Sequence, residues 1–177
     1  MKKPVFVIVV LFAAVLLMMY GFKSPSAKSS GETAEGINWT VASTPQAEIE
    51  ATGKPVYLFV STDWCTFCKK MKSQTFTDPK VQELLNDLFV AITINPEKPG
   101  NAAFTGKEMP YSDLARQLGV TGYPANFFFG PDGKLIGGQP GYIDAKAFAD
   151  IAEYVGDGHY KNIKFDEFMK LPADKRR

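Results

Sequence analysis

Val56-Tyr57-Leu58-Phe59-Val60-Ser61-Thr62-Asp63-Trp64-Cys65-Thr66-Phe67-Cys68-Lys69-Lys70 is the stretch on which the reading of this chain turns. Its first five residues form an unbroken apolar, β-rich run, the pattern of a central strand covered on both faces. That strand delivers the chain directly to Trp64-Cys65, and a helix is expected from Thr66 to about Gln74. Cys65 therefore stands where strand gives way to helix. Cys68, three residues on, falls on the same face of the first turn, a spacing that permits a disulfide. Unpaired N–H groups and the positive end of the helix dipole favour a thiolate at Cys65, which in such positions brings a cysteine pKa from about 8.5 towards about 3.5–7.5. Cys65 is expected to attack a substrate disulfide. Cys68, more enclosed, is expected to resolve the mixed disulfide. These are the only two cysteines, too few for a disulfide scaffold or a four-thiolate metal site. Lys69 and Lys70 either add positive charge to the site or serve an ordinary helix surface.

Working outward, Pro45 to Ala51 reads as a short helix with Ser43 or Thr44 as cap and Gly53 as stop. Thr77-Asp78-Pro79 opens a helix through Val81, Leu84, Leu85 and Leu88, and Phe89 to Ile94 is a second buried strand. Residues 95–110, with Pro96, Pro99, Gly100, Gly106 and Pro110, read as a long surface loop, either a partner-binding element or a tolerated insertion. Ser112 is the expected cap of a helix through Leu118 that ends at Gly119. Gly122-Tyr123-Pro124 turns the chain into the strand Ala125 to Phe129, whose three phenylalanines are assigned to the core. Gly130-Pro131-Asp132-Gly133 and Lys134-Leu135-Ile136 complete a hairpin. Asp144 opens a last main helix stopped by Gly156, followed by a short helix from Phe165 to Leu171 and a frayed polar end, Lys175 to Arg177. The order β, α, β, α, β, β, α describes an α/β fold, a central mixed sheet flanked by helices.

Two separated motifs, Trp64-Cys65-Thr66-Phe67-Cys68-Lys69 after one apolar strand and Gly122-Tyr123-Pro124 ahead of another, resemble those of the thioredoxin superfamily over roughly residues 40–156. Thr75 to Val81 and Phe127 to Gly133 are similar to its periplasmic, membrane-anchored branch. That branch includes the C-terminal modules of transmembrane thiol:disulfide interchange proteins and sulfur-oxidation-associated thioredoxins. The resemblance implies a thioredoxin-like fold and a cis bond between Tyr123 and Pro124 that sets this loop beside Cys65 to meet an incoming peptide. It also implies protein disulfides as substrates and a transmembrane protein as electron donor. Trp64, Tyr123 and Pro124 are the expected substrate-binding residues, and no bound cofactor is required. Two departures stand out. Phe59 occupies the place of the family's buried strand aspartate, leaving the exposed Asp63 as the nearest carboxylate. Thr66-Phe67 between the cysteines leaves the choice between reducing and oxidising poise open.

Composition bounds the alternatives. The 177 residues suit one domain, and 45% hydrophobic with 22% charged residues excludes a largely disordered, collagen-like or polytopic membrane chain. A net charge of +1 without a long basic run argues against nucleic-acid binding. Lys2 and Lys3 precede Val5 to Phe22, 18 residues free of charge, roughly 27 Å of helix. Residues 1–23 are thus expected to be a signal anchor in the inner membrane, or a signal peptide. The lysines stay inside and residues 24–177 face the periplasm, tethered or soluble. Residues 24–36 read as a flexible linker with a reach of roughly 20 Å, residues 37–160 as the thioredoxin-like domain and 161–177 as a helical extension. The expected function is an extracytoplasmic thiol:disulfide oxidoreductase acting as a reductase. The competing readings use the same thiols: a disulfide-donating oxidase, or a copper- or zinc-delivery module with His159 or Met71 as third ligand.

Overall fold

Strand β2, Val56–Val60, is fully buried and lies at the middle of a five-stranded sheet ordered β1 (Trp39–Thr40), β3 (Val90–Ile94), β2, β6 (Ala125–Phe129), β7 (Leu135–Pro140). The computed structural model describes residues 35–42, 49, 52–104 and 107–176. Contacts divide the chain into Met1–Ser30 and Gly31–Arg177, and every described residue belongs to the second unit. The expected membrane anchor, most of the linker and, Ile49 apart, the helix expected at 45–51 lie outside the described residues. Among the described residues no helix is long and apolar enough to cross a membrane.

In chain order the elements are β1 (Trp39–Thr40), β2, α1 (Thr66–Lys70) continued by a π turn (Met71–Thr75), α2 (Pro79–Leu88), β3 (Val90–Ile94), β4 (Asn101–Phe104), β5 (Lys107–Pro110), α3 (Tyr111–Gln117), β6 (Ala125–Phe129), β7 (Leu135–Pro140), α4 (Ala145–Gly156) and α5 (Phe165–Phe168). Strands β1 and β2 run parallel to β3, whereas β6 is antiparallel to both β2 and β7. The sheet is mixed, as expected.

Alternation along β2 divides the core in two. Tyr57 and Phe59 point into a layer with Cys65, Cys68, Met71, Phe76, the inner face of α2 and that of α4. Val56, Leu58 and Val60 point the other way, onto Leu114 and Ala115 of α3, Phe127 and Phe129. The three phenylalanines of β6 are core residues, as read from the sequence. Helix α2 starts as expected, with Asp78 accepting from the N–H groups of Lys80 and Val81 ahead of Pro79. Asp144 caps α4 through Ala147 N–H. Gly53 has φ +65°, and its N–H donates to Ile49 O at 2.7 Å.

Four expectations need correction. Residues 95–110 are not a structureless loop: β4 and β5 form an antiparallel hairpin, with Ala102 opposite Met109 and both against the α3-side core. Gly100 immediately precedes β4 and Pro110 is the last residue of β5, and the packing of buried Ala102 and half-buried Met109 supplies the ordering. Helix α3 starts at Tyr111, not after a Ser112 cap. Its first N–H is satisfied by Gly100 O at 3.0 Å, so the hairpin starts the helix without a side-chain cap. Helix α4 does end at Gly156 as expected, although the left-handed residue beyond it is Gly158, φ +77°. The C-terminal end is not frayed at Arg176, whose guanidinium donates to the carbonyls of Leu171 and Met169, pairs with Asp150 and lies over the Phe168 ring. At the opposite end, Glu35 and Gly36, assigned to the linker, accept from Gln82 and Asn86 of α2.

Candidate active site

The register of β2 against β6 builds the site. Val60 pairs with Ala125, so the end of the strand leading to Cys65 lies beside the residue that follows Pro124. Val60 and Ala125 are 65 positions apart in sequence. Gly141 N–H donates to Pro124 O at 2.8 Å and ties the loop to the far end of β7. The Tyr123–Pro124 bond is cis, as the resemblance implied.

Cys65 occupies the N-cap of α1 in extended conformation, and its Sγ accepts from Cys68 N–H at 3.0 Å. The two cysteines are joined as a disulfide across a Cα separation of 5.2 Å. Both are buried, Cys68 at 1% and Cys65 at 4%. Helix geometry widens immediately afterwards. Phe76 N–H reaches Met71 O, one residue further than an α-helical bond, and this turn buries Met71, Thr75 and Phe76 together. Thr75 Oγ1 donates to Ile143 O at 2.6 Å, anchoring the turn to the segment that enters α4.

Around the disulfide two large aromatic side chains are exposed, Trp64 at 65% and Phe67 at 58%. Trp64 meets the Tyr123 ring edge-on at 5.9 Å between centroids, so Trp64, Tyr123 and the Pro124 loop come together beside Cys65. Lys70 is held over the Tyr142 ring at 4.4 Å. Phe59 is fully buried and packs edge-on against Phe76 at 4.9 Å, in the same layer as both cysteines. An apolar aromatic cluster thus fills the place of the absent aspartate. Asp63 is exposed and bonded instead to Lys98 and Asn95. Its carboxyl is held below the ordinary aspartate range, first by the hydrogen bond from Lys98.

Of the two residues proposed as a third metal ligand, Met71 shares the core layer of the cysteines, whereas His159 lies against the C-terminal segment. Met71 is buried in the helical core, and His159 Nε2 lies 2.7 Å from Arg176 O, its ring against Phe168. Among the described residues no three His, Cys, Asp or Glu side chains group to hold a metal ion.

Two contributions escaped the sequence. Glu97 accepts from the Trp64 indole N–H at 2.9 and 3.1 Å from its two oxygens, across 33 residues of chain. Nothing local marks it. Asn126 is fully buried in β6, accepts from Tyr57 O–H at 2.7 Å and donates to Gln139 O and Gly141 O. Its signal was available: an amide inside an apolar strand needs partners.

A parallel β2–β3 pair leading into a Cys-x-x-Cys turn, an antiparallel β6–β7 hairpin entered through a cis-proline, and helices on both faces define a thioredoxin-like domain. The chain belongs to the thioredoxin-like domain family, whose model matches residues 43–156. It is 32% identical over 155 residues to the thiol:disulfide interchange protein DsbD of Salmonella typhi and 30% identical over 149 residues to that of Escherichia coli K12. Each alignment takes in 80% of this chain; the chain spans about a quarter of the length of these relatives. Among solved structures it is similar to a thioredoxin-fold protein of Helicobacter pylori, with TM-score 0.57 and 24% identity over 64% of this chain and 76% of that one. A thioredoxin of Thermus thermophilus gives TM-score 0.54 and 23% identity over 67% and 88% of the two chains.

Proposed function

We propose that this protein is an extracytoplasmic reductant of protein disulfides, with Cys65 as nucleophile and Cys68 as resolving thiol. The observation that carries the reading is the Cys65 Sγ at the helix N-cap, accepting Cys68 N–H, beside the exposed Trp64 and the Tyr123–Pro124 loop. In the reduced protein the same N–H and the helix dipole stabilise negative charge on Cys65. The Cys65 thiolate attacks one sulfur of the substrate disulfide, forming a mixed disulfide and releasing the other substrate sulfur as a thiolate. Cys68 loses its proton and attacks Cys65 Sγ, which frees the second substrate thiolate and leaves the Cys65–Cys68 bond. Two electrons pass to the substrate. They return from a membrane-embedded dithiol donor, a role supported by the likeness to DsbD and by the uncharged run Val5 to Phe22.

The test uses the purified full chain. Cys65→Ser should abolish dithiothreitol-driven insulin reduction, and Cys68→Ser should accumulate mixed disulfides that a nonreducing gel displays. Retained turnover in Cys65→Ser would remove the mechanism. A reduction potential near about −270 mV supports the reductase, whereas one near about −120 mV would make the protein a disulfide donor.

A further inference from the structure

Trp64 is an exposed indole on a turn, yet it is held on two sides. Its N–H is shared between both oxygens of Glu97, at 2.9 and 3.1 Å, and its ring meets Tyr123 edge-on. Glu97 is itself fixed. Its backbone N–H donates to Asn95 Oδ1 at 3.0 Å, Asn95 Nδ2 donates to Asp63 Oδ1 at 3.2 Å, and Lys98 Nζ pairs with Asp63 Oδ2 at 2.8 Å. The segment 95–98 is therefore tied twice to the turn carrying Trp64, once through Asp63 and once through the indole itself. An indole N–H bonded to a carboxylate is a charge-assisted bond, the stronger kind at a wet surface. A 65% exposed side chain contributes little to the core, so this bonding has small value for folding.

We propose that Glu97 is a positioning residue: through its bond to the Trp64 indole it presets the ring as one wall of the surface on which a substrate polypeptide docks beside Cys65. The inference rests on the oxidoreductase reading above. A partner that meets a fixed ring avoids the cost of immobilising it, which for one large side chain corresponds to about a 2- to 10-fold difference in affinity. The Glu97 carboxylate bonds the Trp64 indole, so the effect falls on docking.

The experiment compares Glu97→Ala and Glu97→Gln in the full chain. The probes are insulin reduction and the indole N–H resonance of Trp64, assigned with Trp64→Phe. Glu97→Ala should raise KM for insulin about 2- to 10-fold with kcat little changed, and its indole proton should exchange faster with water. Glu97→Gln keeps an acceptor oxygen and should stay close to wild type in both. An unaltered resonance or an unaltered KM in Glu97→Ala overturns the proposal, as does a Glu97→Gln variant as impaired as alanine. If the wild-type protein itself fails to exchange with insulin, the functional reading falls, and an unaltered Glu97→Ala resonance separately refutes the positioning contact.

Discussion

Asp63 and Lys98 show how a single exposed pair beside the redox centre behaves. The hydrogen bond from Lys98, then its charge and the Asn95 amide, favour the carboxylate and lower the Asp63 pKa. A folded-state pKa below the unfolded one gives stability that is present above the unfolded value and disappears as pH falls through the folded value. The pair lies in solvent, and its weight in folding is small. Carboxyl NMR titration should place the Asp63 midpoint below that of an ordinary aspartate, and Lys98→Ala should move it upward. A midpoint indifferent to Lys98→Ala would contradict the pairing. Phe59 teaches the complementary lesson. A buried carboxylate there would be surrounded by Trp39, Tyr57 and Phe76, with desolvation opposing its charge. This chain places an aromatic ring in that environment instead.

At the level of strands, the Tyr57–Asn126 bond ties β2 to β6 beneath the site. Burial pushes the Tyr57 pKa well above its ordinary value, so the phenol stays protonated and donates. Asn126 passes the connection on to Gln139 and Gly141, and Gly141 N–H holds the Pro124 carbonyl. Tyr57→Phe keeps the ring packing but leaves Asn126 Oδ1 without its donor, and should cost about 1–3 kcal/mol in urea denaturation. A loss below a few tenths of a kcal/mol would show that the bond has no structural weight. Helix α1 makes a related point. A helix is expected from Thr66 to about Gln74, and a helical path does reach Thr75, but the last turn is π. That change depends on accommodating Met71, Thr75 and Phe76 in one core layer, a demand made by α4 and β2 rather than by the local sequence.

Across the whole unit, Arg176 clasps the C-terminal segment to α4. It lies only 19% exposed against Asp150 at 13%, and donates to two carbonyls as well. Arg176→Ala should lower the unfolding free energy by roughly 1–3 kcal/mol while leaving the reduction potential unchanged, since the clasp lies outside the thiol site. A potential that moves with this substitution would link the terminus to the thiols. The central strand, the thiol turn, the phenylalanine strand and most helix starts are legible from the residues alone, because each rests on short-range effects: apolar runs, Asp78 and Asp144 as caps, cysteines three residues apart. The sequence also carried Trp64, Tyr123 and Pro124 through a motif match. What depends on residues distant in the chain became visible in the folded molecule. Sheet register brings Ala125 to Val60, the β4–β5 hairpin orders a stretch that reads as loop, and Arg176 is fixed by Asp150. Glu97 reaches Trp64 across 33 residues, and such pairings exist only when packing brings separate segments to the same place.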